Sequence, residues 1–450
     1  MDAFLGFLNT VSGFVWGPYM LILLVGTGVY LTFGVRLQTL RKIGYAFKLL
    51  MQGRDKSKQE GEGEITPFQA LMTALSATIG TGNIAGVATA IFLGGPGAVF
   101  WMWITAVFGM ATKFGEAVLA VKYRETMPDG SYVGGPMYYI KNGMGEKWKW
   151  LGLLFAIFAA VAALGIGNTV QSNSVARAAE GAFGIPYWLT GLLLAGLTFA
   201  VIIGGIKRIA EVTERLVPFM AIIYVLGAIV IILYNIDNLG MALGLIFKEA
   251  FTGSAAGGGF AGAAVAQAMR FGVARGVFSN EAGLGSAPIA HAAARTKDPV
   301  RQGVVGMLGT FIDTICVCTL TALLIIMTGA YKSGLTGAEL SQRAFNLGLP
   351  GLGDFVVGFG LMIFAFSTML AWSYYGQVCF EYIFGLKGVM PYRLIYVAFI
   401  FIGAVINLDI VWTFSDVMNG LMIVPNLIAL LVLSPVIFRI TKAYFEGIKT

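Results

Sequence analysis

Apolar stretches of about 20 residues recur along the 450-residue chain between short polar connectors. This is the length a helix needs to cross a bilayer, about twice that of a membrane β-strand. Eleven transmembrane helices are predicted, near 15–34, 68–93, 97–121, 150–176, 186–206, 212–235, 257–290, 302–330, 351–384, 391–408 and 411–438. Gly94-Gly95-Pro96-Gly97, Pro186 and Pro391 punctuate the connectors. Two spans break this pattern with polar, glycine-rich runs at mid-depth, Ser76 to Gly86 in the second and Gly276 to Ser286 in the seventh. Both runs contain Asn-x-Ala-Gly, Asn83 to Gly86 and Asn280 to Gly283. The interruptions lie five spans apart, so the two halves enter the membrane from opposite faces, the pattern of an inverted repeat. Residues 1–66 then form a peripheral helix and cytoplasmic linker, 67–235 the first half of the repeat and 236–450 the second.

Unwound backbone in hydrocarbon leaves amides and carbonyls unpaired, so it survives only where it lines a polar cavity. Amides at the start of a half-helix point at an anion such as a carboxylate, aided by the helix dipole. The freed carbonyls suit a bare cation. A zwitterion together with Na⁺ is the natural guest. The plainer reading is that these glycines only let helices pack closely. Two matching interruptions at corresponding positions favour the binding site.

Composition agrees with a membrane bundle. The chain is 57% hydrophobic and 12% charged, with a mean hydropathy of +0.80, against roughly 25% charged for a soluble domain. The net charge of +7 does not point to nucleic acid, because the basic residues are spread through connectors. Most of the 30 Lys and Arg fall on one set of connectors, from Arg36 to Lys58, Lys122 to Lys149, Lys207 to Arg215 and onwards to Lys449. The opposite set holds only Arg177, Lys248, Lys332 and Arg343. The N-terminus is therefore expected outside and the C-terminus in the cytoplasm. No basic leader precedes the first apolar run, and Cys316, Cys318 and Cys379 lie inside apolar stretches. There is no His/Cys metal cluster, phosphate-binding loop or nucleophile triad, which argues against an enzyme or an ATP-driven pump. A channel is disfavoured by the lack of repeated filter loops.

The run Leu75-Ser76-Ala77-Thr78-Ile79-Gly80-Thr81-Gly82-Asn83-Ile84-Ala85-Gly86-Val87-Ala88 resembles the signature of the alanine or glycine:cation symporters. Pro136-Met137-Tyr138-Tyr139-Ile140, Gly276 to Gly283 and Ala371-Trp372-Ser373-Tyr374-Tyr375-Gly376 also resemble motifs of that family. The resemblance implies a LeuT-like fold, a five-plus-five inverted repeat after one peripheral helix, with two broken helices at its centre. It also implies sodium-coupled uptake of alanine and glycine across the cell membrane, with no cofactor besides Na⁺ as coupling ion. Some relatives are proton-coupled, so a proton-driven carrier of similar zwitterions is the alternative.

On that footing the substrate carboxylate meets the amides of Thr81 and Gly82, and glycine at 80 and 82 keeps Cβ atoms out of its way. Asn83 has two readings, a sodium ligand through its amide oxygen or a cap for the half-helix after the break. Ser279 and Asn280 hold the matching place in the repeat, where Asn280 contacts substrate or ties the broken helices together. Ser367 and Thr368 form a hydroxyl pair that would ordinarily back-bond to the preceding turn. Similarity to the fold's shared sodium site pairs them with carbonyls near Ser76 and Ile79, and Thr78 is a further candidate. Trp372 and Phe278 are candidate pocket walls, although aromatics at helical spacing are more often packing. Gln171 joins them as a polar side chain that would be costly against lipid. Among ionisable residues within spans, Lys113 and Glu116 lie three apart on one face and are placed to pair. Asp313 has no local partner, Arg270, Arg275 and Glu281 flank the seventh-span break, and His291 lies too near a span end for a central proton relay.

Overall fold

The computed structural model describes residues 2–55, 61–252, 261–351, 353–406 and 409–447. Among these, eight helices are long and apolar enough to cross a membrane, and a bent pair makes a ninth. Two expected spans stand apart from this set. Tyr187–Ile202 is a shorter apolar helix, and Ala261–Asn280 is too polar for the same criterion and follows a stretch, 253–260, outside the described residues. Two helices in connectors, Leu239–Thr252 and Gly337–Gly348, had no counterpart in the hydropathy pattern.

The bent pair is the second span. Pro67–Thr78 begins with a capping box, in which the Thr66 hydroxyl accepts from Gln69 N at 3.1 Å and the Gln69 side chain accepts from Thr66 N at 3.0 Å. It stops at Ile79, whose ψ of 92° is extended, and restarts as Gly82–Gly94 at an angle of 50°. The unwound stretch is narrower than the polar run suggested, because Ser76 to Thr78 stay helical and Gly82–Gly86 wind into a wide π turn. In the seventh span the break is also displaced. Gly276 to Asn280 finish the Ala261–Asn280 helix, and the chain opens at Glu281, with φ +56°, before resuming at Ala287–Ala292. The Asn280 side chain accepts from Ala282 N at 2.9 Å and fixes this turn.

The two broken helices meet at the centre, where a Cβ on Gly82 would come 3.2 Å from Ser279 Cα. Ala98–Lys122 packs behind them and has 83% of its apolar window buried, against 28% for Gly205–Tyr234. The latter therefore gives most of its surface to lipid, with Phe219, Leu226 and Leu233 exposed. At the end bearing most basic connectors, Arg124 donates to the carbonyls of Ala292, Ala294 and Glu62 at 3.0, 2.8 and 2.8 Å. One guanidinium thus ties the exit of the second broken helix to the entry of the first.

Candidate functional site

A cavity of about 20 Å³ lies where the two broken helices cross, room for about one water. Thr78, Gly80, Thr81, Gly82, Gln171, Phe278, Thr368 and Trp372, each a substrate or sodium candidate in the sequence, line it together with Ala77, Ile166, Leu284, Glu281 and Asn419. Thr81 and Gly82 open the second half-helix, where N–H groups have no earlier helical carbonyl to bond. Both residues line the cavity. Two buried amide oxygens, Gln171 Oε1 and Asn419 Oδ1, have no hydrogen-bond partner, so the lining offers acceptors for an ammonium as well as donors for a carboxylate. Gln171 follows a second π turn, Gly165–Thr169, and its Nε2 donates to Ile166 O at 2.9 Å and Thr81 Oγ1 at 3.4 Å. Such turns recur at functional sites because they free backbone groups.

Trp372 closes one side of the cavity. A Cβ on Gly167 would sit 2.3 Å from Trp372 Cβ, so that glycine lets the indole reach its place. Its Nε1 donates to Glu281 Oε1 at 3.1 Å, and Glu281 Oε2 accepts from Ser286 Oγ at 2.6 Å. The left-handed residue of the second break therefore holds the pocket tryptophan. Trp372→Phe keeps an aromatic ring but loses this bond and part of the indole's bulk; about a tenfold loss of substrate affinity is expected, read by a binding titration, and an unchanged affinity contradicts the role. Phe278 closes the other side. It also borders another cavity of about 130 Å³ containing Arg270, Arg275 and Asp416, with the Arg275 guanidinium 5.4 Å from its ring centre.

The Ser367 and Thr368 hydroxyls meet the first broken helix at one backbone carbonyl. Ser367 Oγ and Thr368 Oγ1 lie 3.3 and 3.1 Å from Ser76 O, across the interface with the first broken helix. Both also back-bond to Phe364 O, at 2.8 and 3.0 Å. A Cβ on Gly80 would be 2.7 Å from Thr368 Oγ1, so glycine there leaves the hydroxyl its space. The Ser76 and Thr78 hydroxyls bond back to Thr73 O and Leu75 O, which leaves the Ser76 carbonyl as its contribution. Neutral hydroxyl and carbonyl oxygens fit a hard monovalent cation.

Asn83 turns elsewhere. Its Oδ1 accepts from Gly80 N at 2.8 Å, bracing the break from behind, and its Nδ2 donates to Asp313 Oδ1 at 2.7 Å. Ser279 Oγ reaches the same carboxylate oxygen at 3.1 Å, and Thr314 Oγ1 donates to Asp313 Oδ2 at 2.7 Å. Asn280 Nδ2 donates to Thr314 Oγ1 at 3.1 Å. Asp313, on a wide turn at Phe311–Cys318, thus gathers both broken helices around one buried carboxylate. Asn83, Ser279 and Asn280 belong to this brace and do not line the cavity.

The expected Lys113–Glu116 pair does not form. Among the described residues no ion pair joins them, and Lys113 Nζ has no hydrogen-bond partner. Glu116 Oε1 instead accepts from Gly283 N and Gly285 N, each at 3.1 Å, and from Asn426 Nδ2 at 2.6 Å, pinning the turn of the second break. Helical spacing put Lys113 and Glu116 on one face, but exposed loop amides outcompeted the ammonium for the carboxylate. Lys113, 1% exposed, is buried within electrostatic reach of Glu116, Glu281 and Asp313. Lys113→Met is expected to cost about 3–5 kcal/mol by leaving buried carboxylates uncompensated. Thermal unfolding of the purified protein checks this, and an unchanged Tm contradicts it. His291 lies outside these clusters, with Nδ1 2.9 Å from Gln302 Nε2.

The model of the sodium:alanine symporter family matches residues 1–450. The chain belongs to that family. The sodium/alanine symporter AgcS of Methanococcus maripaludis is 52% identical over 449 residues, covering 98% of both chains. The probable sodium/glutamine symporter GlnT of Bacillus subtilis is 38% identical, covering 97% of this chain and 90% of that one. The crystal structure of MhsT in complex with L-phenylalanine superposes at a TM-score of 0.56 with 14% identity, covering 86% of this chain and 99% of that one. The fold is thus LeuT-like, an all-α membrane architecture. Like its family, the chain is a multi-pass membrane transporter of the cation-coupled amino-acid class, and not an enzyme.

Proposed function

We propose that the protein carries alanine and glycine into the cell together with Na⁺, by alternating access around the central cavity. The observation that carries this reading is the convergence of the Ser367 and Thr368 hydroxyls on the Ser76 carbonyl, beside the helix start at Thr81 and Gly82. A sodium there would bind Ser76 O, Ser367 and Thr368, with Ile79 O and Thr78 at hand, and hold the first broken helix against Gly353–Phe384. The substrate carboxylate would take the amides of Thr81 and Gly82. Its ammonium would take Gln171 Oε1 and Asn419 Oδ1, the buried oxygens that lack partners. Phe278, Ile166, Leu284 and Trp372 would enclose a methyl group, and their closeness favours small side chains. Sodium/alanine symport is the named activity of the 52% identical relative.

In this cycle 67–235 and 236–450 act as the two halves of the repeat, with the N-terminus outside and the C-terminus in the cytoplasm. Phe278 closes the outer side and Trp372 the inner. Substrate enters only as the walls part, because the cavity of about 20 Å³ is far smaller than an amino acid. A proton-coupled carrier is the second reading, favoured by the buried carboxylates of Glu281 and Asp313 around unpartnered Lys113. Liposomes bearing the purified protein should accumulate labelled alanine when an inward sodium gradient is imposed. Equal accumulation under a proton gradient without sodium overturns the ion assignment and supports the second reading.

A further inference from the structure

Following Gly353–Phe384 from Trp372 toward its end, the residues that face inward change from aromatic to charged. Tyr374, Gln377, Val378 and Glu381 line a second cavity of about 320 Å³, the lower end of the range for small-molecule pockets. Exposed Asp129 and Lys207 stand at its mouth, on connectors expected to face the cytoplasm. Glu381 is 4% exposed, and its Oε1 is buried without a hydrogen-bond partner. Native structures rarely leave a buried carboxylate oxygen so.

The other charged groups around this oxygen are held in place. Glu64 Oε1 accepts from Tyr132 N at 2.9 Å. Asp129 Oδ1 accepts from Ser131 N at 3.0 Å and Ser131 Oγ at 2.6 Å. Arg393 donates through Nε to Gln377 Oε1 at 2.8 Å and through Nη1 to Ile203 O at 3.0 Å. Its third nitrogen borders Gly205, where a Cβ would come within 3.4 Å of Nη2. Glycine at that position, with φ +66°, satisfies the backbone and keeps this edge of the guanidinium clear. Among the described residues no ion pair joins Arg393 or Lys207 to Glu381, Glu64 or Asp129. Opposite charges thus face one another across the cavity without closing it. Burial pushes the Glu64 carboxyl above its ordinary value, partly offset by the Tyr132 amide and by Lys207.

We propose that this inner vestibule is a second binding site for the α-amino acid zwitterion, with the ammonium on Glu381 and the carboxylate on Arg393 and Lys207. An ammonium offers three donors and satisfies the stranded oxygen of Glu381. A guanidinium edge receives a carboxylate. A bare sodium ion needs far less room than this cavity provides and no cationic wall. The site lies about two and a half turns beyond Trp372 on the same helix, at the end expected to face the cytoplasm, which places it beside the route an amino acid would take from the central cavity in the proposed cycle. Cytoplasmic amino acid held there would slow release, making the vestibule a device for inhibition by accumulated product. The inference rests on the amino-acid reading above.

The test is equilibrium binding of labelled alanine to the full-length protein in detergent, with and without sodium. Two classes of site are expected, a sodium-dependent one at the centre and a weaker, sodium-independent one in the vestibule. Propionate, which lacks the ammonium, should not displace the weak class. Glu381→Gln should weaken that class about tenfold or more. Should this buried substitution fail to fold, Lys207→Ala at the exposed mouth carries the same test with a several-fold loss. A single class in the wild type, or a weak class unmoved by these variants or displaced by propionate, overturns the proposal. Absence of the sodium-dependent class strikes instead at the proposed function, so the two failures are distinguishable.

Discussion

Sodium-dependent alanine uptake is expected to fall at least 100-fold in Gly82→Val, with the protein still purified as a folded, monodisperse species. Two effects add. The Cβ of residue 82 points at Ser279, 3.2 Å from its Cα and 3.4 Å from its Oγ, so a branched side chain forces the broken helices apart. Overpacking of this kind costs about 1–3 kcal/mol. The same bulk also denies a carboxylate its approach to the amides of Thr81 and Gly82, and hydrogen bonds to charged groups contribute about 1.5–3 kcal/mol each. Together these exceed the roughly 2.8 kcal/mol that corresponds to 100-fold. Uptake in liposomes measures the effect. Thermal unfolding of the same variant separates the causes: a lowered Tm reports overpacked helices, whereas lost uptake at an unchanged Tm assigns the loss to the blocked amides. Near-normal uptake by Gly82→Val sinks the carboxylate site altogether.

The second large effect is expected in the sodium titration of Thr368→Ala. Its hydroxyl lies 3.1 Å from Ser76 O and bridges Gly353–Phe384 to the first broken helix. Removing one oxygen ligand from a cation costs about as much as a hydrogen bond to a charged group, about 1.5–3 kcal/mol. The sodium concentration for half-maximal uptake should therefore rise about 10- to 100-fold. Alanine at saturating sodium should still be carried. A hydroxyl that merely back-bonds to Phe364 O would change protein yield and leave the titration where it was, so an unmoved sodium curve rejects the ligand role. Thr368→Ser, which keeps the oxygen, should restore the wild-type curve.

The legible part of the site was the part encoded by local backbone chemistry. Gly80, Thr81 and Gly82 announced a helix that could not run straight, and the structure bends there by 50°. Ser367 and Thr368 were recognisable through resemblance, and both reach Ser76 O. Gln171, Phe278 and Trp372 line the cavity with Gly80, Thr81, Gly82 and Thr368. Less legible was everything that depends on partners far along the chain. Glu116 looked like half of an ion pair because Lys113 stands one turn away, yet its partners are amides 167 and 169 residues distant. Asn83 and Asn280 occupy matching motifs but make different bonds, one to Asp313 and one to Thr314. Asn419 and Ile166 carried no signal, since one polar or apolar residue in an ordinary span has many possible surroundings.

Sequence alone determined that the chain is a helical membrane protein, that two of its central helices break within glycine-rich runs, and which family it resembles. Those properties follow from hydrocarbon length, from the cost of unpaired backbone in lipid and from runs of adjacent residues, all local quantities. Tertiary structure alone decided which buried charges face which groups, how narrow each break is, and that Trp372 is held by Glu281. In a low-dielectric interior a carboxylate takes the donors that packing brings to it, and packing joins residues that lie hundreds of positions apart.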